Sequence, residues 1–230
     1  MTVAYKILAK FIALRLSPII LDKVVTPHLH GFIKGRSIYD NILAAMVGIE
    51  YADQTKQECI LLQLDLDKAY DRIEWSFIEE VMKALGFGTR ICSVVRTLGM
   101  GSFSELLFNN TIVGAFEVMR SIRQGCPLAP LLFAIGSHPL VTALEASAVK
   151  GEIQGLELPG GKQLLAKLFA DDSLLFLKAK LEVLRKALQI VEQFAVALGS
   201  IEKSMLISLS KNDLFDSSSW SGELVWRDNI

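Results

Sequence analysis

The sequence lacks paired cysteines. Its three, Cys59, Cys92 and Cys126, stand far apart in 230 residues, and no CxxC occurs. Neither a zinc ribbon nor a disulfide framework is therefore expected, and a reducing, intracellular compartment is the natural reading. Charge of one sign is also missing: 24 Lys and Arg stand against 25 Asp and Glu, for a net charge of −1. Phosphate neutralisation dominates affinity for nucleic acid. The balance thus counts against a polynucleotide partner unless the cations cluster or a basic part of the protein lies elsewhere. The N-terminus lacks a signal peptide's unbroken apolar core, because Lys6, Lys10 and Arg15 punctuate it. Elsewhere charge is expected to interrupt each apolar stretch before the roughly 18–20 residues of a membrane span, so no membrane partner is expected. Internal repeats, low-complexity segments and targeting runs are not seen, and nothing indicates an oligomeric state.

What is present is a globular composition, 51% apolar and 21% charged, long enough for one large domain or two small ones. Ile7, Leu8, Phe11, Leu14 and Ile19 recur at helical spacing from Ala4 to about Ile20, and Pro18 is expected to close that run. The Gly- and Pro-rich "TPHLHGFIKGRSIYDN" reads as a loop, followed by a helix from about Ile42 to Ala52. "CILLQLD" reads as a buried strand. Trp75, Ile78, Val81, Met82 and Leu85 mark an amphipathic helix stopping at Gly86, and a shorter helix runs from Arg90 to Leu98. Two apolar runs around Asn109-Asn110 predict a hairpin. After the loop "RQGCPLAP" a helix is expected from near Pro130 to before Gly151, kinked at Pro139, and then a second hairpin with its tip at Pro159-Gly160-Gly161. "LLAKLFADDSLLFLK" predicts two strands meeting at Asp171-Asp172, and Leu181 to Leu198 a long helix. From Lys211 no period is evident. Mixed helices and hairpins point to an α+β fold with an antiparallel sheet.

The carboxylates raise the functional question. Gln63 and Asp65 share one face of the "LLQLDLDK" strand, with Leu62, Leu64 and Leu66 on the other. Asp171 and Asp172 stand at a strand junction inside an apolar stretch, where an unpaired carboxylate is costly. If the two strands are neighbours, three carboxylates converge, and a cation among them would relieve their repulsion. Mg²⁺ suits oxygen ligands and leaves positions for phosphate oxygens, and a pair of such ions supports phosphoryl or nucleotidyl transfer. Each piece alone also has a plain structural reading, as a solvated turn, a helix cap or a salt bridge.

Taken together and in order, "AYKILAKFIALRL", "HGFIKGRSIYDNI", "LQLDLDKAYDRIEW", "SIRQGCPLAPLLF" and "LFADDSLLF" closely resemble the reverse transcriptase of non-LTR (LINE-type) retrotransposons, over about Ala4 to Ser208. The resemblance implies a polymerase right hand, with palm and fingers present, an antiparallel palm sheet packed on helices, and the thumb absent. Its implied boundaries are a fingers-like segment at 1–58, a palm with fingers insertions at 59–208, and an irregular tail at 209–230. The implied activity is RNA-templated DNA synthesis with two Mg²⁺ ions, Mn²⁺ being the substitute, on an RNA template, a DNA primer and deoxynucleoside triphosphates.

By the same resemblance Asp65, Asp171 and Asp172 are the catalytic metal ligands, the last two within an aromatic-x-Asp-Asp element containing Phe169 and Ala170. Asp65 is preferred over Asp67 because the family's aspartate stands five positions before the aromatic Tyr70. Tyr70 matches the aromatic beneath the sugar that disfavours a 2′-hydroxyl. Gln124 and Gly125 match the loop lining the nucleotide and template base, Lys34 and Arg36 the cations facing the triphosphate, and Lys203 the lysine after the palm hairpin. His28, His30 and His138 read as structural or incidental, and Asp67 and Asp71 as makers of local contacts.

The sequence departs from the family at His30, where Gln is usual, at His138, where an acid is usual, and at Gly199–Ser204, which is shortened. Endonuclease and thumb segments are not seen, so a fragment or decayed copy of a retrotransposon polyprotein acting in nucleus or cytoplasm is the expectation. The alternatives are a folded remnant without turnover and, less favoured by the wording of the motifs, an intron-maturase-like RNA-binding protein.

Overall fold

The computed structural model describes residues 2–24, 26, 28–29, 31, 33, 35–65, 69–99, 103–169, 172–198, 203–208 and 223–226. The chain divides into two compact units, each assembled from two segments: Met1–Val24 with Lys68–Gly136, and Val25–Asp67 with Ser137–Ile230.

The first unit opens with α1 (Val3–Lys23), capped by Thr2, whose side chain accepts from Tyr5 N–H. The helix runs through Pro18 instead of closing there. Proline removes one backbone donor but leaves the next turns free to bond, and Val24 N–H still donates to Ile20 O at 2.9 Å. Its buried face is also not the predicted one. Ala9, Ile12, Ala13, Leu16 and Ile20 are buried, while Ile7, Leu8, Phe11, Leu14 and Ile19 are exposed. Apolar residues recur on more than one face of this helix despite Lys6, Lys10 and Arg15, so periodicity marks two stripes, and Ala9 and Ala13 lie on the one that is buried. After α3 (Ala69–Arg72) come α4 (Trp75–Ala84), stopped by Gly86 at φ 72°, and α5 (Thr89–Gly99). Glu79 on α4 joins Lys83 at 2.7 Å and Arg96 on α5 at 3.7 Å. Strands β2 (Phe103–Phe108) and β3 (Thr111–Glu117) form the expected hairpin, with Asn109 and Asn110 both at positive φ as a tight two-residue turn requires.

The second unit is built on a five-stranded sheet. Its members are β1 (Cys59–Asp65), β6 (Ala166–Phe169), β7 (Asp172–Lys178), β8 (Lys203–Ser208) and β9 (Glu223–Trp226), in the order β6-β7-β1-β8-β9. Every pairing is antiparallel except β8 with β9, which is parallel. The sheet is thus mixed at one edge, and the tail expected to be irregular contributes its last strand. A small hairpin, β4 (Leu156–Leu158) with β5 (Lys162–Leu164), turns at Gly160 and Gly161 as the sequence indicates.

Helix α2 (Ile38–Thr55) starts four residues ahead of expectation, because Ser37 and Asp40 form a reciprocal capping box. It lies close on the sheet at Gly48, where an added Cβ would stand 2.9 Å from both Leu164 and Phe176 side chains. Ala52, Cys59, Leu61, Leu156 and Phe176 form the core beneath it. Helix α7 (Leu181–Leu198) matches its predicted span and buries Val183, Leu184, Ala187, Ile190, Val191 and Phe194.

The division between units falls inside α6 (Ala129–Val149), which continues through Pro139. With Glu145 its single charge, α6 is long and apolar enough to cross a membrane, contrary to the expected interruption of every apolar stretch. Its apolar residues serve the interior: Leu132, Phe133, Ile135, Leu140, Val141 and Leu144 are all buried.

Candidate active site

In the second unit, Asp65 at the end of β1 stands opposite Asp172 at the start of β7, and opposite Lys203 at the start of β8 on its other side. Directly opposed Cα atoms in an antiparallel pair lie about 4.5–5.5 Å apart. Strand alternation then explains the setting. Along β7, Phe176, Leu174 and Asp172 share one face and pass from buried through half-buried to exposed. The face covered by α2 at Phe176 therefore opens to solvent at Asp172. The opposite face stays buried to the end, at Ser173 and Leu175. The apolar strand β7 carries Asp172 here because that residue occupies its solvent end.

Asp171, Lys34 and Asp67 lie outside the described residues, as do Ala170, His30 and the start of the Gly199–Ser204 element. Among the described residues no three His, Cys, Asp or Glu gather as a metal site. The Asp65–Asp172 register is nonetheless what the donor chemistry of a divalent cation calls for: two carboxylate-bearing positions face each other where like charges alone would repel.

Arg36 is brought into the same unit in a specific role. Its Nη1 donates to the carbonyl oxygens of Thr26 and Leu29, fastening its own loop. His28 fastens the loop to β6, since its Nδ1–H donates to Ala166 O at 2.8 Å and its carbonyl accepts from Leu168 N–H at 2.8 Å. Lys167 on β6 is a further cation of this unit that the sequence motifs do not mark. Burial lowers its pKa and the charge of Arg36 lowers it further, with Asp40 opposing. Arg36 is likewise lowered by burial and partly restored by Asp40. The signal for Lys167 was its place two residues before Phe169, which puts it on the same sheet face as Asp172.

In the first unit the structure links Tyr70 to the loop bearing Gln124 and Gly125. Tyr70 O accepts from Ile122 N–H at 2.7 Å, and Ile73 O from Ser121 N–H at 3.1 Å. Ser121 Oγ donates to Asp71 Oδ1 at 3.1 Å, so Asp71 ties α3 to the approach of the Gln124 loop. Tyr70 stacks on Phe133 of α6, ring centroids 4.5 Å apart and planes 11° from parallel. Gln124 and Gly125 are exposed between buried Ile122 and Cys126. Gly125 has φ 77° and nothing within 4 Å of where a Cβ would lie, so the backbone turn itself requires glycine.

A family model for the reverse transcriptase (RNA-dependent DNA polymerase) matches residues 1–218. The chain belongs to the reverse transcriptase family. The match runs past Ser208, where the motifs fade. Curated relatives are retrotransposon proteins. The transposon TX1 uncharacterized 149 kDa protein of Xenopus laevis is 28% identical over 84% of this chain and 14% of that protein. The Pol polyprotein from type-2 retrotransposable element R2DM of Drosophila melanogaster is 24% identical over 67% and 14%. A probable RNA-directed DNA polymerase from transposon X-element of the same fly is 27% identical over 59% and 15%. This reverse transcriptase chain thus spans about one-seventh of the length of these relatives. Among solved structures, telomerase from Candida albicans superposes with a TM-score of 0.63 at 12% identity, over 89% of this chain and 34% of that one. Apo telomerase from Candida tropicalis gives 0.61 at 11% identity, over 87% and 40%. At such identities the likeness is one of fold.

Proposed function

We propose that this chain carries the nucleotidyl-transfer centre of an RNA-templated DNA polymerase of non-LTR retrotransposon type, comprising palm and fingers. The observation that carries the reading is the register of Asp65 opposite Asp172, two carboxylate-bearing positions at the paired ends of neighbouring strands, with Asp172 exposed. With Asp171 between β6 and β7, they would hold two Mg²⁺ ions. When bound, such ions activate the attacking hydroxyl and stabilise the leaving phosphate oxygen. The primer 3′-oxygen joins the α-phosphorus of a deoxynucleoside triphosphate, the bond to the β-phosphate oxygen breaks, and pyrophosphate and the hydroxyl proton leave.

The chain's own side chains orient the reactants. Tyr70, braced on Phe133, presents a flat ring to the sugar and leaves no room for a 2′-hydroxyl. Gln124 and Gly125 line the nucleotide and the template base. Lys34, Lys203 and the remaining donors of Arg36 would meet the triphosphate. The assignment of these residues to one reaction rests on the order of motifs along the chain.

Primer extension on an RNA template, with Mg²⁺ and deoxynucleotides, tests the reading. Templated product is expected from the wild type and none from Asp171→Asn, and product that survives this substitution rejects the assignment. A folded chain without turnover is the second reading. It is favoured by Arg36, whose Nη1 is already engaged by its own loop. A wild-type protein with an intact folding transition and no extension would select it.

A further inference from the structure

Tyr5 lies near the start of α1, more than a hundred residues ahead of Gln124, yet it touches both corners of the turn that presents Gln124. Arg123 and Cys126 are the first and fourth residues of that turn, and Cys126 N–H donates to Arg123 O at 3.1 Å. Gly125, in third place at φ 77°, is the residue a type II turn demands there. The guanidinium carbon of Arg123 stands 5.2 Å from the centre of the Tyr5 ring. Cys126 Sγ–H donates to Tyr5 Oη at 3.9 Å, and Tyr5 Oη–H donates to Leu98 O, near the end of α5, at 3.4 Å. One side chain therefore ties the turn to two helices, while Ile122 ties the turn's approach to Tyr70.

We propose that Tyr5 is a positioning residue for the polymerase: it fixes the 123–126 turn so that Gln124 and Gly125 stand where the incoming nucleotide is read. The inference rests on the assignment of Gln124 and Gly125 to the nucleotide site. Two features of Tyr5 act separately. The ring face holds the Arg123 cation. The hydroxyl holds Cys126 and Leu98, and burial, with Cys126 beside it, pushes the Tyr5 pKa up to about 12, so the donor persists through the working range of pH. Each contact is weak, but all of them meet on one side chain, and the exposed residues between the two corners have no core packing of their own to set their position.

The test uses the full chain with Tyr5→Phe, which keeps the ring and removes the hydroxyl, and Tyr5→Leu, which removes both. The first readout is native-state alkylation of Cys126 by iodoacetamide, read by mass spectrometry, with the buried Cys59 and Cys92 as references for general opening. Tyr5→Leu is expected to speed Cys126 alkylation about tenfold, with Tyr5→Phe intermediate, while Cys59 and Cys92 hold their wild-type rates. The second readout is steady-state primer extension, where KM for deoxynucleotide is expected to rise about tenfold in Tyr5→Leu with kcat within about threefold, and Tyr5→Phe to recover most of the loss. Wild-type Cys126 reactivity in Tyr5→Leu, or a rise shared by all three cysteines, overturns the proposal, as does a fall in kcat at constant KM. If the wild type extends no primer, the polymerase reading fails, while the thiol readout still decides whether Tyr5 holds the turn.

Discussion

Asp65 and Asp172 face each other as paired Cα positions across the β1–β7 ladder, with Lys203 opposite Asp65 on the far side. Like charges directly opposed in a sheet destabilise it by roughly 0.2–1 kcal/mol. In chelator, Asp172→Asn is therefore expected to raise the unfolding free energy from urea denaturation by an amount in that range. Mg²⁺ at ten times its dissociation constant should stabilise the wild type by about 1.4 kcal/mol and the variant much less. Equal responses to Mg²⁺ in the two proteins would remove Asp172 from the metal site.

Tyr70 stacks on Phe133 and shares backbone bonding with the Gln124 loop. With Tyr70 beneath the sugar as proposed, Tyr70→Val opens that space, so the ratio of ribo- to deoxynucleotide use should rise about tenfold or more, the range a steric pocket can command. Competition between the two nucleotide classes in single-nucleotide extension measures it. An unchanged ratio would show that the gate lies elsewhere. The same variant should lose stability, since a stacked aromatic pair contributes about 0.5–1.5 kcal/mol beyond its area.

Gly99 ends α5 against the Trp75 ring, and a Cβ there would stand 2.2–2.3 Å from ring atoms. Gly99→Ala should cost about 1–3 kcal/mol by overpacking. Gly114 in β3 has nothing within 4 Å and serves as the control, with Gly114→Ala near neutral. Chemical denaturation of both variants checks the contrast, which a Gly99→Ala midpoint equal to the control would refute.

Burial pushes the Cys59 thiol up to about 11 from its ordinary 9.0. The unfolded chain then releases this proton at lower pH than the folded one. The stability tied to Cys59 is complete below pH 9 and is lost as pH rises toward 11. Urea midpoints measured across that window should fall more steeply for the wild type than for Cys59→Ala. Parallel curves would show that Cys59 is not the titrating group.

Much of the local structure was legible because its signals are local. The alternating apolar residues of β1, the period of α7 from Leu181 to Leu198, the Asn109-Asn110 turn and the stop at Gly86 all depend on a few neighbouring residues. The start of α2 is equally local, set by the Ser37–Asp40 capping box and not by the apolar period. The buried face of α1 was of another kind. Ile7, Phe11 and Leu14 and the smaller Ala9 and Ala13 are both compatible with a helix. Only the surfaces packed against α1 decide which stripe is covered.

The candidate site divides the same way. The identities of Asp65, Asp171, Asp172, Tyr70, Gln124 and Gly125, and the order of their motifs, were determined by sequence alone, since chemistry resides in residue type. That Asp65 opposes Asp172, that Lys167 shares the Asp172 face, that Arg36 fastens its own loop, and that Tyr5 reaches both corners of the Gln124 turn were decided by tertiary structure. Strand order, register and helix packing join residues more than a hundred positions apart in the chain. No local periodicity carries that information, because the free energy that selects those pairings comes from burying non-local surfaces together.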